Sequence, residues 1–244
     1  YSTGYGGYGD LGNGASSNST TTVQVKGLVE DETIVQIACG QHCVYALSDK
    51  GKVYSWGYNA YGQLGNGTTN GGATNTPQQV QTSQRITDVV ADGQYHAYIL
   101  SESRDVYSFG YNNYGQLGDA TTSNRSTPVK VKNVSNVIKI AQGWQHTLFL
   151  QENNEVWACG YNGQYQLGDG TNSNRSTPVQ VMSDYTIVDI ATSYQSSYFL
   201  TSEGKIYAVG KNTNGLFGNG NATQLNTPTL IMEDYPDTIK LFSS

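Results

Sequence analysis

Four times along the chain a Gly-Tyr-Asn or Gly-Lys-Asn turn is followed by Leu-Gly or Phe-Gly, at intervals close to fifty residues. The series runs Gly57-Tyr58-Asn59 with Leu64-Gly65, Gly110-Tyr111-Asn112 with Leu117-Gly118, Gly160-Tyr161-Asn162 with Leu167-Gly168, and Gly210-Lys211-Asn212 with Phe217-Gly218. A weaker copy opens the chain at Gly4-Tyr5 with Leu11-Gly12, so the steps between these pairs are 53, 53, 50 and 50 residues. A fixed period of this size marks supersecondary units that stack or circle, each too small to bury its apolar face alone.

Every unit has the same internal order. In the second, Ile34–Ala38, Val44–Leu47 and Val53–Trp56 are short runs of β-branched and aromatic residues, followed by a Gly/Asn/Thr loop and an extended Thr76–Val80. Breakers separate the second and third runs at Asp49-Lys50-Gly51, Ser103-Arg104-Asp105, Asn153-Asn154 and Glu203-Gly204. Such residues tolerate positive φ or bond their own backbone, which predicts tight hairpins. No stretch keeps apolar residues at helical spacing beyond one turn, so the chain is read as all-β, built of four-stranded antiparallel units. Trp56, Phe109, Cys159 and Val209 share one column, and Leu47, Leu100, Leu150 and Leu200 another. Apolar side chains of unequal volume in one column are core positions, where repacking takes up the difference.

The repeat resembles that of the regulator-of-chromosome-condensation family, whose unit carries Gly-x-Asn, Leu-Gly, Thr-Pro and Gly-x-x-His. Here the last two are Thr76-Pro77, Thr127-Pro128, Thr177-Pro178 and Thr227-Pro228, with Gly93-Gln94-Tyr95-His96 and Gly143-Trp144-Gln145-His146. The resemblance spans essentially the whole chain and implies an RCC1-like β-propeller of about five repeats in one segment, 1–244, with the first and last incomplete. A WD40 propeller has a shorter period of roughly 40–45 residues, whereas kelch repeats share the period of about 50 but bring a glycine doublet missing here. Tyr1 aligns with Tyr54 and Ser244 with Ser193, leaving the five repeats one hairpin arm short. The family's usual ring is larger, so the sequence is read as a segment of a longer protein, or else as an unusually small ring.

Charged residues make up 13% of the chain and the net charge is −6, against about 25% charged in an average domain. Affinity for phosphate comes mainly from clustered Lys and Arg, so no nucleic-acid partner is expected. Lys130, Lys132 and Lys139, and likewise Arg125 and Arg175, are read as solvated. No apolar run approaches the roughly 18 residues of a membrane helix, so no membrane insertion is expected of this segment.

Three cysteines give an odd count. Cys159 falls in a core column, and Cys39 and Cys43 lack the further ligands that a structural zinc site wants. The Gly-x-x-His column holds Cys43, His96, His146 and Ser196, one per repeat and therefore on different blades, which predicts structural residues bonding nearby backbone. No nucleophile motif, phosphate loop or carboxylate pair occurs, so the expectation is a non-enzyme without catalytic residue, metal or cofactor. Gly57, Gly110, Gly160, Gly210, Leu64, Leu117, Leu167, Phe217, His96 and His146 are taken as structural landmarks.

What remains is an interaction surface. The residues between the first and second strands vary as Gln41-His42, Gln94-Tyr95, Trp144-Gln145 and Tyr194-Gln195. Aromatic side chains dominate interface hot spots, which makes His42, Tyr95, Trp144 and Tyr194 candidate partner-binding residues; packing against a neighbouring blade is the alternative. Sequons stand at Asn18, Asn66, Asn124, Asn133, Asn174 and Asn221, of which Asn66, Asn124 and Asn174 are read as glycan acceptors in corresponding loops if the chain is secreted. The expected role is a scaffold that binds other proteins in a larger assembly. The family resemblance adds two alternatives, guanine-nucleotide exchange on a Ran-like GTPase and a secreted recognition or inhibitory propeller. Exchange in the founding member uses an inserted wedge, and the largest insertion here is the short Asn70-Gly71-Gly72. Compartment stays open between cytoplasmic or cytoskeletal and secreted.

Overall fold

The computed structural model describes residues 1–233. Strands β1 (Ser2–Gly4) and β2 (Ser19–Val23) pair as a two-stranded sheet. Four four-stranded antiparallel sheets follow. Blade one is β3 (Ile34–Gly40), β4 (Cys43–Ser48), β5 (Val53–Tyr58) and β6 (Ala73–Gln79). Blade two is β7 (Ile86–Val90), β8 (His96–Ser101), β9 (Val106–Gly110) and β10 (Arg125–Lys130). Blade three is β11 (Val137–Gln142), β12 (His146–Gln151), β13 (Val156–Gly160) and β14 (Arg175–Val181), and blade four is β15 (Ile187–Ser193), β16 (Ser196–Thr201), β17 (Ile206–Gly210) and β18 (Leu225–Met232). The only helical piece among the described residues is a 3-10 turn at Thr213–Gly215. The C-terminal arm aligned above with a first strand lies outside the described residues.

Each blade is a meander in chain order: short turns join the first three strands as antiparallel neighbours, and a longer loop returns the fourth strand to the third. The predicted hairpins form where the breakers stand, with Arg104, Asn154, Gly51 and Gly204 all at positive φ. The fourth strand of blade one starts earlier than Thr76, at Ala73, since Tyr58 at the end of β5 still pairs with it. Strands β8 and β12 are buried at every position, as expected of a strand covered on both sheet faces. The fourth strands are half-exposed.

The chain divides into two compact units: residues 1–112 with 123–130, and residues 113–122 with 131 onward. In the first unit Cys43, Tyr45, Leu47, Val53, Leu64, Val89, Ile99 and Phe109 belong to one apolar cluster. In the second, Leu148, Leu150, Leu167, Ile187, Ile190, Phe199 and Val209 do the same. Both predicted core columns are buried throughout.

The long loop after each third strand explains the Asn and Leu-Gly landmarks. Asn162, fully buried, donates its side-chain amide to Asp169 Oδ1 (2.9 Å), Thr171 O (2.9 Å) and Ser173 O (3.1 Å), and its Oδ1 accepts from the Leu167 N–H (3.0 Å). Asn212 repeats the pattern toward Asn219, Asn221, Thr223 and Phe217, and Asn59 toward Asn66, Thr68 and Leu64. One side chain thus satisfies the backbone of a loop with no ladder of its own. The loops that precede blades one to four each lie on the blade that follows. Gly14 N–H donates to Asn75 O, Gly67 N–H to Ser126 O and Ala120 N–H to Ser176 O, each at 2.8 Å. From the receiving blades, Trp56 Nε1 donates to Asp10 O (2.9 Å) and Ser197 Oγ to Gln166 O (2.6 Å). The Leu of each pair is driven under this loop, and burying it contributes about 2 kcal/mol.

Candidate functional site

The hairpin between first and second strands is tightest in blades one and four. Gly40 pairs with Cys43 and Ser193 with Ser196, leaving Gln41-His42 and Tyr194-Gln195 as two-residue loops. In every blade the carbonyl of the second loop residue accepts from the residue after the turn glycine: Tyr58 to His42 (2.8 Å), Tyr111 to Tyr95 (2.8 Å), Tyr161 to Gln145 (2.8 Å) and Lys211 to Gln195 (3.0 Å). This bond brings the two loops of a blade together, and with them the aromatic residues that they carry.

In the first unit the result is a connected group of seven rings. Tyr5 touches Tyr8 and His42, and Tyr8 touches His42 and Tyr58, at centroid separations of 4.7–6.0 Å. Tyr58, Tyr61 and Tyr95 contact one another at 5.2–6.2 Å, and Tyr61 also meets Tyr111 edge-on at 5.1 Å. Tyr5 and Tyr8 are exposed and the rest half-buried. His42 and Tyr95 hold φ near +60°, which a bulky residue seldom adopts without a compensating contact. Burial raises the phenols of Tyr58 and Tyr95, and the neighbouring phenols raise them further. Asp10 accepts from the Tyr8 N–H at 3.1 Å and lies 3.8 Å from His42 Nδ1.

In the second unit the rings of the corresponding loops include Tyr114, edge-on to Tyr161 at 5.1 Å, and Trp144, stacked on Tyr194 at 4.5 Å with the rings 19° apart. Of the four candidate partner-binding residues, His42 and Tyr95 therefore join one cluster, while Trp144 and Tyr194 pack on each other across adjacent blades. Tyr5, Tyr8, Tyr58, Tyr61 and Tyr111 complete the group without being among the candidate residues. Their signal was present: a tyrosine after the turn glycine and another three residues later, at Tyr5/Tyr8, Tyr58/Tyr61 and Tyr111/Tyr114.

In the Gly-x-x-His column two members bond backbone of their own blade and one reaches a side chain of the next. His96 Nδ1 donates to Gln94 O at 3.0 Å, His146 Nε2 lies 3.1 Å from Ser197 Oγ, and Ser196 Oγ donates to Lys211 O. Burial pushes the His96 imidazole down to about 4, a drop only partly opposed by the Gln94 carbonyl. Because the folded value lies below the unfolded one near 6.5, the unfolded chain takes up the proton first as pH falls. Stability should therefore decline between pH 6.5 and pH 4 by about 3 kcal/mol in total. Urea midpoints measured at pH 7 and pH 4.5 check this: His96→Gln should show a shallower loss than the parent, and equal losses would refute it.

Other side chains correct the sequence reading in detail. Lys130, still exposed, pairs with Asp105 at 2.9 Å, Lys139 pairs with Asp189, and Arg175 with Asp169 at 2.7 Å, so these cations also serve neighbouring strands and loops. Asn124 and Asn174 are equivalent, each accepting at 2.8 Å from the backbone of the hub asparagine. Asn66 stands elsewhere in its loop, at the place of Asp169 and Asn219. Asn124 and Asn174 are exposed and Asn66 half-buried. Cys39, Cys43 and Cys159 are free thiols, and burial pushes Cys43 up to about 12. Among the described residues no group of three His, Cys, Asp or Glu could hold a metal ion, and no helix is long and apolar enough to cross a membrane.

A family model described as the RCC1-like domain matches residues 1–243. The chain belongs to the RCC1-like domain family. Its RCC1-like repeats are 40% identical over 133 residues to the ultraviolet-B receptor UVR8 of Arabidopsis thaliana, covering 54% of this chain and 29% of that protein. They are 36% identical over 124 residues to the E3 ubiquitin-protein ligase HERC2 of Homo sapiens, covering 50% of this chain and 2% of that one. The chain thus spans less than a third of either relative's length. Among solved structures, human WBSCR16 superposes with a TM-score of 0.80 at 24% identity over 94% of this chain and 61% of its own. Saccharomyces cerevisiae Prp20p, studied for its binding to Gsp1p and histones, gives 0.75 at 20% identity, over 91% and 55%. At these identities the likeness is one of fold, and the fold is the RCC1-like β-propeller of four-stranded antiparallel blades.

Proposed function

We propose that this RCC1-like segment is a non-enzymatic, single-domain interaction scaffold that presents an aromatic face to a protein partner within a larger protein or assembly. The observation that carries the reading is the seven-ring cluster of the first unit, built from hairpin and loop residues at one end of its strands. Tyr5 and Tyr8 stand exposed at its margin and the other rings are half-buried. Amphipathic rings with few rotatable bonds suit recognition, because little side-chain entropy is lost on contact. The other end of the same strands is chemically different, with Lys52 held by Glu32 and Arg85 bonded to the Asp49 and Lys50 carbonyls. A likeness of fold to Prp20p supplies no warrant for nucleotide exchange, and no observation at the cluster favours it.

A photo-crosslinking amino acid placed at Tyr5, with a second version at Lys50 on the opposite end, tests the reading in cells that express the chain. Protein adducts should form from position 5 and be absent or weak from position 50. Adducts of equal yield from both positions, or none from position 5, would remove the proposal.

A further inference from the structure

We infer that Asn70 is a self-modification site, where the side-chain amide loses ammonia to the Gly71 nitrogen and leaves aspartate or isoaspartate in the loop between β5 and β6. The inference is independent of the aromatic cluster and of any partner.

Asparagine is a labile residue, and it is most labile before glycine. The backbone nitrogen of the next residue must close on the side-chain Cγ, and a Cβ on that residue obstructs the approach. The chain holds six such pairs, opening at Asn13, Asn66, Asn70, Asn162, Asn214 and Asn219. Five of them are restrained at the reacting groups. The Gly14 N–H donates to Asn75 O and the Gly67 N–H to Ser126 O, each at 2.8 Å, and the Gly215 N–H donates to Asn212 O at 3.2 Å. Asn162 is fully buried with both ends of its amide engaged, and Asn219 Oδ1 accepts from the Asn212 amide at 3.2 Å.

Asn70 and Gly71 differ on each count. Both are exposed. The Gly71 N–H has no hydrogen-bond partner among the described residues, and a Cβ built on Gly71 meets no atom within 4 Å. The one bond of the Asn70 side chain runs from Nδ2 to Thr74 Oγ1 at 3.1 Å, so the restraint falls on the leaving nitrogen and sets a hydroxyl beside it.

Once solvent base has taken the Gly71 amide proton, the nitrogen attacks Cγ, a five-membered imide closes, and the bond to Nδ2 breaks with that nitrogen leaving as ammonia. Water then opens the imide at either carbonyl, and neither oxidant nor reductant is consumed. The product adds one negative charge to a chain of net charge −6. The isoaspartyl form also lengthens the main chain by one carbon, inserted ahead of Ala73 where β6 begins, so no strand register has to shift. Its free carboxylate is the group that an S-adenosylmethionine-dependent isoaspartyl methyltransferase accepts.

The whole chain is incubated at mildly alkaline pH and body temperature, then digested and mapped by mass spectrometry, with isoaspartate counted by methyl transfer from labelled S-adenosylmethionine. Asn70 should convert at least about tenfold faster than any of the other pairs, which must first break one or two hydrogen bonds or open locally. In urea-unfolded chain the preference should vanish, because there every pair is equally free. Gly71→Ala, at a position with room for the added carbon, should slow conversion of Asn70 about tenfold and leave that of Asn214 and Asn219 unchanged. Conversion of Asn70 no faster than that of Asn214 or Asn219 in the folded chain, a preference for Asn70 that persists in urea, or indifference to Gly71→Ala overturns the assignment.

Discussion

Alanine in place of Gly110 should destabilise the protein by about 3 kcal/mol or more, a large fraction of what a domain of this size has to lose. Gly110 ends β9 with φ of +104°, a conformation that residues with a Cβ rarely adopt. A Cβ there would lie 2.3 Å from the Tyr95 carbonyl oxygen and 2.8 Å from the His96 Cα. Both obstacles are backbone, so no rotamer change relieves them. The carbonyl cannot move aside without breaking the 2.8 Å bond from Tyr111 that ties the two loops together. Gly57, Gly160 and Gly210 have φ between +102° and +111° and meet the His42, Gln145 and Gln195 carbonyls in the same way, so the requirement belongs to the repeat. The control is Gly71→Ala, at φ of +59° with no atom within 4 Å of the added carbon, where the cost should be about 1 kcal/mol. Thermal unfolding should fall by roughly 10 °C for Gly110→Ala and by a few degrees for Gly71→Ala. Equal shifts would mean that the close approach is not what selects glycine.

The second large effect should come from Asn162. Replacing it with leucine, similar in volume, strips three carbonyl or carboxyl acceptors and one buried N–H of their partner at once. Each orphaned buried group costs about 1–3 kcal/mol, and exposure of the loop to water recovers part of that, for an expected loss of about 4 kcal/mol. Asn162→Asp is the sharper comparison. It keeps the acceptor for Leu167 but turns an oxygen toward the Thr171 and Ser173 carbonyls and the Asp169 carboxylate, so it should be no better tolerated than leucine. Urea unfolding of the two variants decides the point, and a near-wild-type Asn162→Asp would show that the amide protons are dispensable.

These two residues also show what the sequence could reveal. The period, the strand order, the hairpin breakers and the core columns were legible because they follow from local rules: alternation, turn chemistry and tolerance of unequal apolar volumes. Gly110 was recognisable as a glycine needing special backbone, but its obstacle, the Tyr95 carbonyl, is fifteen residues away and enters only through the fold. Asn162 recurred as a landmark and read as a turn residue, since nothing in the sequence says that its side chain will gather four partners spread over eleven positions. The aromatic cluster was half legible. His42 and Tyr95 stood out as variable loop residues, yet the tyrosines after the turn glycines were hidden inside a motif already explained as structural. Charge pairing was illegible for the same reason as the glycine obstacle: Lys139 meets Asp189 only because equivalent strands of adjacent blades lie side by side.

The seating of the first four long loops on the blade that follows each has a consequence for how such arrays grow and shrink. Residues 113–122 group with the second unit although the strands on either side of them group with the first. The inheritable module is thus out of phase with the visible sheet. A duplication or deletion cut between sheets would strand one clasp without its seat, whereas a cut between successive Leu-Gly pairs would carry clasp and seat away together. Chimeras and shortened arrays should fold best when their junctions respect that offset.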